Sequence, residues 1–172
     1  MYSSRSRALR SPLAPTLVVL ALAAACNGDG ISSPTGPRTA LVVLESATVS
    51  VGGQVVNGMT LPRGHGQGAS TRFEAKIVDA QGRPMTGQTV SMRYQRPQGT
   101  GMMSSTGTMM LYDDGTHGDR VPGDGIYCYE DWAGDYGCHA ASSPMGQYHY
   151  EFWGQDHGGQ HSDHLTITVT IN

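Results

Sequence analysis

Four aspartates (Asp113, Asp114, Asp119, Asp124) and four glycines (Gly115, Gly118, Gly123, Gly125) share the segment LYDDGTHGDRVPGDGIYCY, Leu111 to Tyr129. Carboxylates crowded this closely repel one another unless water or a cation sits among them. Calcium is the cation that an oxygen-only set suits best. It is hard, and it accepts carboxylate and backbone carbonyl ligands in flexible geometry. An EF-hand places ligands at every second position, whereas Asp113, Asp119 and Asp124 stand five to six residues apart, so this is a different arrangement. Its carboxylates converge only if the loop curls, which glycines at positive φ permit. The competing reading makes each Asp-Gly step a simple turn, with the carboxylate capping its own backbone.

A second group of potential ligands lies near the C-terminal end. The run DHGGQHSDH, Asp156 to His164, holds His157, His161 and His164. Imidazole with carboxylate suits zinc, copper or nickel. The spacing of the three histidines fits one helical face, yet Gly158 and Gly159 argue for a turn between strands, from which side chains diverge. A polar hairpin tip is the alternative. The aromatics form a third group: Tyr127, Tyr129, Trp132 and Tyr136. Exposed, Trp132, Tyr129 and Tyr136 would stack on sugar rings or anchor a protein partner, because Tyr and Trp offer large rigid contact area. For Tyr127 the expected role is a plug at the end of a core.

Catalysis finds little support. The chain has no G-x-S-x-G elbow, H-E-x-x-H or Walker sequence. Asp131 and Asp135 are a carboxylate pair of the kind that does acid–base work, but they sit in a short loop between two cysteines. The expectation is a protein that is not an enzyme.

These groups need elements to hold them, and the texture of the chain is β throughout. From Ala40 onward, short Val-, Ile-, Thr- and Tyr-rich runs alternate with Gly, Pro, Asn and Asp, and no sustained 3.6-residue apolar period appears. Strands are expected over 40–51, 71–78, 88–94, 106–112, 126–130, 146–153 and 165–171. Alternation puts Phe73, Ala75 and Ile77 on one face, Val90, Met92 and Tyr94 on another, then Tyr148, Tyr150 and Phe152, then Leu165, Ile167, Val169 and Ile171. About seven short strands, each with one apolar face, predict an all-β antiparallel sandwich over residues 40–172.

The N-terminus has a different composition. Arg5, Arg7 and Arg10 precede an apolar run, Leu13 to Ala25, which is short for a membrane span and ends in small residues. The run closes as LAAAC, Leu22 to Cys26, and resembles the lipobox of bacterial lipoproteins, with Ala23 where leucine is preferred. That resemblance implies a signal peptide over 1–25, a lipidated Cys26 as first mature residue and insertion of its acyl chains into a bilayer. An ordinary secretory signal is the alternative. Residues 27–39, NGDGISSPTGPRT, then read as a flexible tether. Loss of 1–25 takes Lys+Arg from 11 to 8 against 14 Asp+Glu, moving the formal charge from −3 to −6. An acidic domain with one lysine, Lys76, is unsuited to nucleic acid, whose binding rests on phosphate neutralisation. In an exported domain the remaining pair, Cys128 and Cys138, is expected to form a disulfide, worth about 2–3 kcal/mol if unstrained.

Three segments resemble bacterial immunoglobulin-like domains of cell-surface proteins: IVDAQGRPMTGQTVSMRY (77–94), LYDDGTHGDRVPGDGIY (111–127) and GQYHYEFWGQDHGGQHSDHLTITVTI (146–171). The resemblance implies an immunoglobulin-like sandwich with adhesive, spacer or ligand-binding roles, and no shared catalytic residues. Its expected partners are the bilayer, through acylated Cys26, and a protein or glycan at the cell surface or in the periplasm. Cys26→Ser is expected to move the protein from the detergent phase to the aqueous phase of a Triton X-114 partition; unchanged partitioning would refute the anchor.

Overall fold

The computed structural model describes residues 41–98 and 106–172. The signal peptide, Cys26 and the tether expected from the sequence lie outside them. Among the described residues there are nine strands and no helix: β1 Val43–Val51, β2 Gln54–Val55, β3 Thr60–Leu61, β4 Thr71–Val78, β5 Thr89–Gln95, β6 Gly107–Leu111, β7 Ile126–Asp131, β8 Gly146–Gln155 and β9 Leu165–Ile171. They form a four-stranded sheet, β2-β1-β4-β7, and a five-stranded sheet, β3-β9-β8-β5-β6.

The alternation expected from sequence sets the inward faces. Phe73, Ala75 and Ile77 of β4 meet Tyr148, Tyr150 and Phe152 of β8, and all six are fully buried. The Phe73 and Tyr150 rings lie 5.0 Å apart, tilted by 54°, and join the two sheets. A buried side chain of this size contributes roughly 1.5–3 kcal/mol through removal from water. Tyr127 fills one end, as expected: it is buried, its hydroxyl donates to the Met85 carbonyl at 3.1 Å, and the Gln88 N–H donates to it at 2.8 Å. The turn after β4 takes the chain from one sheet to the other. The Asp79 carboxylate accepts the Gln81 and Arg83 N–H groups, and Gly82 adopts φ 77°.

Two features depart from the sequence expectation. β2 and β3 are two-residue strands on opposite sheet edges, within a segment that crosses between the layers, and β3 pairs with β9 in parallel. The sandwich is therefore antiparallel except at that edge. Val56 and Leu61 hold the crossing segment in the core, and Asn57 ties it down by accepting the Val49 N–H and donating to the Ala47 carbonyl.

The second departure is a correction. Cys128 and Cys138 are free thiols, both buried. The register supplies the reason. β7 pairs with β4 so that Tyr127 stands opposite Ala75 and Cys128 opposite Glu74. Ala75 and Tyr127 point into the core, so Cys128 points to the outer face, where Arg72 donates to its sulfur at 3.1 Å. Cys138 belongs to the core on the other side of the same sheet. Burial pushes the Cys128 thiol up to about 12 and the Cys138 thiol up to about 11. In a Cys26→Ser chain at pH 8, Ellman's reagent is expected to label neither thiol while the protein is native and both after denaturation without reductant. No labelling of the denatured, unreduced protein would restore the disulfide.

Candidate functional site

The acidic loop links β6 at the edge of one sheet to β7 at the edge of the other. It is a built structure, fastened at both ends. Tyr112 and Cys128 exchange backbone hydrogen bonds at 2.9 and 2.8 Å, which closes the neck. Further out, the Glu130 N–H donates to the His117 carbonyl at 2.8 Å, and the Arg72 guanidinium donates to the Gly118 carbonyl while also holding Glu74 at 2.9 Å. Gly118 has φ 92°, and a Cβ there would lie 2.6 Å from the Glu130 Cβ. Only glycine lets the loop lie this close to β7.

The curl brings three aspartates together. Asp113, Asp119 and Asp124 each place a carboxylate oxygen within 4.8 Å of the others, and they are the one set of three or more His, Cys, Asp or Glu to do so among the described residues. Asp119 is buried and the other two are half-buried. Asp114 is not part of the cluster. Its carboxylate turns outward to the Thr116 N–H and hydroxyl, at 2.9 and 2.5 Å, and the Thr116 contacts hold it below its ordinary value.

Each clustered carboxylate also ties down loop backbone. Asp113 accepts the N–H groups of Gly123, Asp124 and Gly125 at 2.8, 3.1 and 3.1 Å. Asp119 accepts those of Gly115 and Val121 at 2.7 and 3.1 Å, and Asp124 that of Ile126 at 2.9 Å. The turn-forming role weighed from the sequence is therefore present, and the convergence a cation needs is present with it. Backbone N–H groups do not remove the repulsion between carboxylates, and two like charges about 4 Å apart cost roughly 4 kcal/mol at the effective dielectric of a protein surface. Burial raises the Asp113 carboxyl above its ordinary value, its three N–H donors oppose that, and the Asp124 charge raises it further. A carboxyl raised in this way favours the folded state when protonated. That contribution is full below the unfolded carboxyl's range and is lost as pH rises through the folded value. At neutral pH the ionised Asp113 carboxylate is thus a local cost to folding, which a bound cation would offset.

His117 is a member of the loop that sequence reading passed over. It is the non-glycine residue at positive φ, 52°, among those described. Its ring stacks on Tyr112 at 3.9 Å and faces Tyr129 at 5.8 Å. The backbone strain is held by that packing. A His between Thr116 and Gly118 carries no periodic signal that could have revealed it.

The other sequence-predicted groups separate. Tyr129 and Tyr136 are half-buried and set edge-on to one another at 5.7 Å, with Tyr94 against Tyr136 at 5.1 Å, so their rings serve internal packing. Trp132 is 68% exposed. It flanks a groove of about 510 Å³ with Ala69, Ala133, Ala140 and Ala141, backed by buried His139. Asp131 is buried and accepts four backbone N–H groups, from Gly134, Asp135, Tyr136 and Gly137 at 2.7–3.3 Å. It closes its own loop and is not paired with Asp135 for acid–base work. His157, His161 and His164 are exposed and do not converge. His164 instead stacks on Trp153 at 5.1 Å and meets Glu151 at 2.8 Å.

In protein stripped of divalent ions, carboxyl-carbon NMR is expected to show Asp113 titrating above the ordinary aspartate range and Asp114 below it; the reverse order would overturn the account of burial at the loop. No protein-family model matches the chain, and no curated protein matches it significantly.

Proposed function

We propose that this is an exported, membrane-anchored module of immunoglobulin-like type, without catalytic activity, whose Asp113–Asp119–Asp124 loop is stabilised by calcium. The observation that carries the metal reading is the convergence of three carboxylates that the sequence spaces five and six residues apart. The oxygen-only donor set suits a hard cation. Asp113, Asp119 and Asp124 would supply carboxylate ligands, and backbone carbonyls and water complete such shells in general. The role of the ion is mechanical. It would relieve the charge repulsion and fix the link between the two sheet edges, leaving a stiff domain on the tether of residues 27–39. The cell surface or the periplasm is where the lipobox resemblance directs such a module.

A second reading draws on Trp132. A tryptophan this exposed beside an Ala-lined groove provides an anchor for a glycan or a protein partner. It is compatible with the first, because a calcium-stiffened sandwich can carry a partner at its end. The zinc or copper reading of His157, His161 and His164 gains no support from the geometry and is set below both.

Thermal unfolding after chelation, then with 10 mM calcium, tests the first reading. Extracellular modules bind calcium with Kd of about 0.1–1 mM. At roughly one hundred times Kd the native state gains about 2.7 kcal/mol, which is a midpoint rise of several degrees for a domain of this size. The rise is expected to vanish in Asp119→Asn and to be absent with magnesium at equal concentration. An unchanged midpoint in the wild-type protein would leave the aspartates as turn formers alone.

A further inference from the structure

The two sheets differ in what covers their outer faces. On the four-stranded sheet the acidic loop is fastened against β7 through Arg72 and Glu130. The outer face of the five-stranded sheet carries a groove of about 540 Å³ lined by Arg93, Gln95, Thr106, His149, Glu151 and Thr166. Its volume falls in the range of roughly 300–1,000 Å³ found for small-ligand sites. Register explains its layout. Arg93 of β5, Glu151 of β8 and Thr166 of β9 form one row across the strands, and Gln95, His149 and Thr168 form the next. Trp153 lies one row beyond, opposite Ser91.

The charges in this groove cancel locally. Glu151 pairs with Arg93 through one oxygen and with His164 at 2.8 Å through the other. A charged ligand therefore meets no uncompensated field. Among the described residues the lining also lacks aliphatic side chains, so they give a lipid or an apolar peptide anchor nothing to pack against. What remains are groups that both donate and accept: the Gln95 amide and the Thr106 and Thr166 hydroxyls, whose side chains make no hydrogen bond to a described residue, and the His149 ring, held at 3.0 Å by Thr168. Ligand hydroxyls have the same dual capacity. Trp153 stands on the same outward face, one row beyond Arg93 and Glu151, with its ring stacked on His164.

We propose that this groove binds a neutral oligosaccharide, with the Gln95, Thr106, Thr166 and His149 side chains reading sugar hydroxyls and Trp153 flanking the chain. The site stands apart from the calcium loop and from the Trp132 groove, and its failure or success leaves those readings untouched.

The test is affinity electrophoresis of the full chain in native gels containing hydroxyethyl cellulose, xylan, glucomannan or dextran, with polygalacturonate as the acidic comparison. Retardation on at least one neutral polymer is expected, unchanged between 50 and 500 mM salt. Gln95→Ala with Thr166→Ala, and separately Trp153→Ala, should each weaken it tenfold or more, while Val55→Ser, exposed on the edge strand β2 of the other sheet, leaves it intact. Both groove variants alter exposed or half-exposed positions, and a circular dichroism spectrum and melting midpoint matching wild type certify their fold. Should Trp153→Ala destabilise the chain, the Gln95/Thr166 double variant decides alone. Retardation on no neutral polymer would overturn the proposal. So would salt-sensitive binding confined to polygalacturonate, or binding abolished by Trp132→Ala and indifferent to the groove variants.

Discussion

An ionised aspartate oxygen accepting backbone N–H groups is the interaction on which the rest of this structure depends. The described chain has no helix to satisfy its loop backbone, and its loops are long relative to its strands. Buried or half-buried N–H groups in such loops must find acceptors. Aspartate supplies them repeatedly: Asp79 in the turn after β4, Asp113 and Asp119 in the acidic loop, Asp131 at the end of β7 and Asp156 after β8. Hydrogen bonds to a charged acceptor contribute about 1.5–3 kcal/mol each, more than neutral ones. Asp131, with four such donors, sets the path of residues 134–137 that follow β7. The acidity of the chain is therefore largely architectural. Where two or three of these carboxylates fall close together, the same residues that order the loop become a potential ligand set.

Much of the architecture was legible in the sequence because the strands obey a period of two. Thr71–Val78 and Leu165–Ile171 coincide with their expected bounds, and the buried faces of β4, β5, β8 and β9 followed from alternation. β2 and β3 were not legible: two residues cannot display a period, and their pairing is fixed by the partners they reach. The site was half legible. Asp113, Asp119 and Asp124 stood out as a carboxylate-rich loop, but the exclusion of Asp114 depends on which way each carboxylate turns, and Thr116 decides that locally. Arg72 and Glu130, which fasten the loop, are far from it in sequence or belong to the strand beyond it. The pairing of Cys128 with Cys138 was misjudged for a related reason. An even pair of cysteines in an exported domain suggested a bridge, while the parity of position 128 in β7 sets its thiol on the far side of the sheet from Cys138.

The same parity gives the two outer faces different characters. On the four-stranded sheet, outward positions of β4 and β7 hold Arg72, Glu74 and Cys128, which bind to each other and to the loop above them. On the five-stranded sheet, outward positions hold Arg93, Glu151 and His149 in rows with threonines, and the ion pairs there run within the face. One face serves cohesion. The other presents its polar groups outward.

The opposed placement of the two thiols bears on how the chain is made as well as on how it stands. In the unfolded chain, Cys128 and Cys138 are near neighbours along the backbone, and an oxidising compartment would join them readily. Such a bond would drag Cys138 through the plane that β4 and β7 must share, so β7 could not seat until the bond was reduced again. In such a compartment strand pairing would have to precede oxidation for the sandwich to close. Once the sandwich closes, burial hides both sulfurs and keeps them as thiols rather than the reactive thiolate, withdrawing them from further exchange.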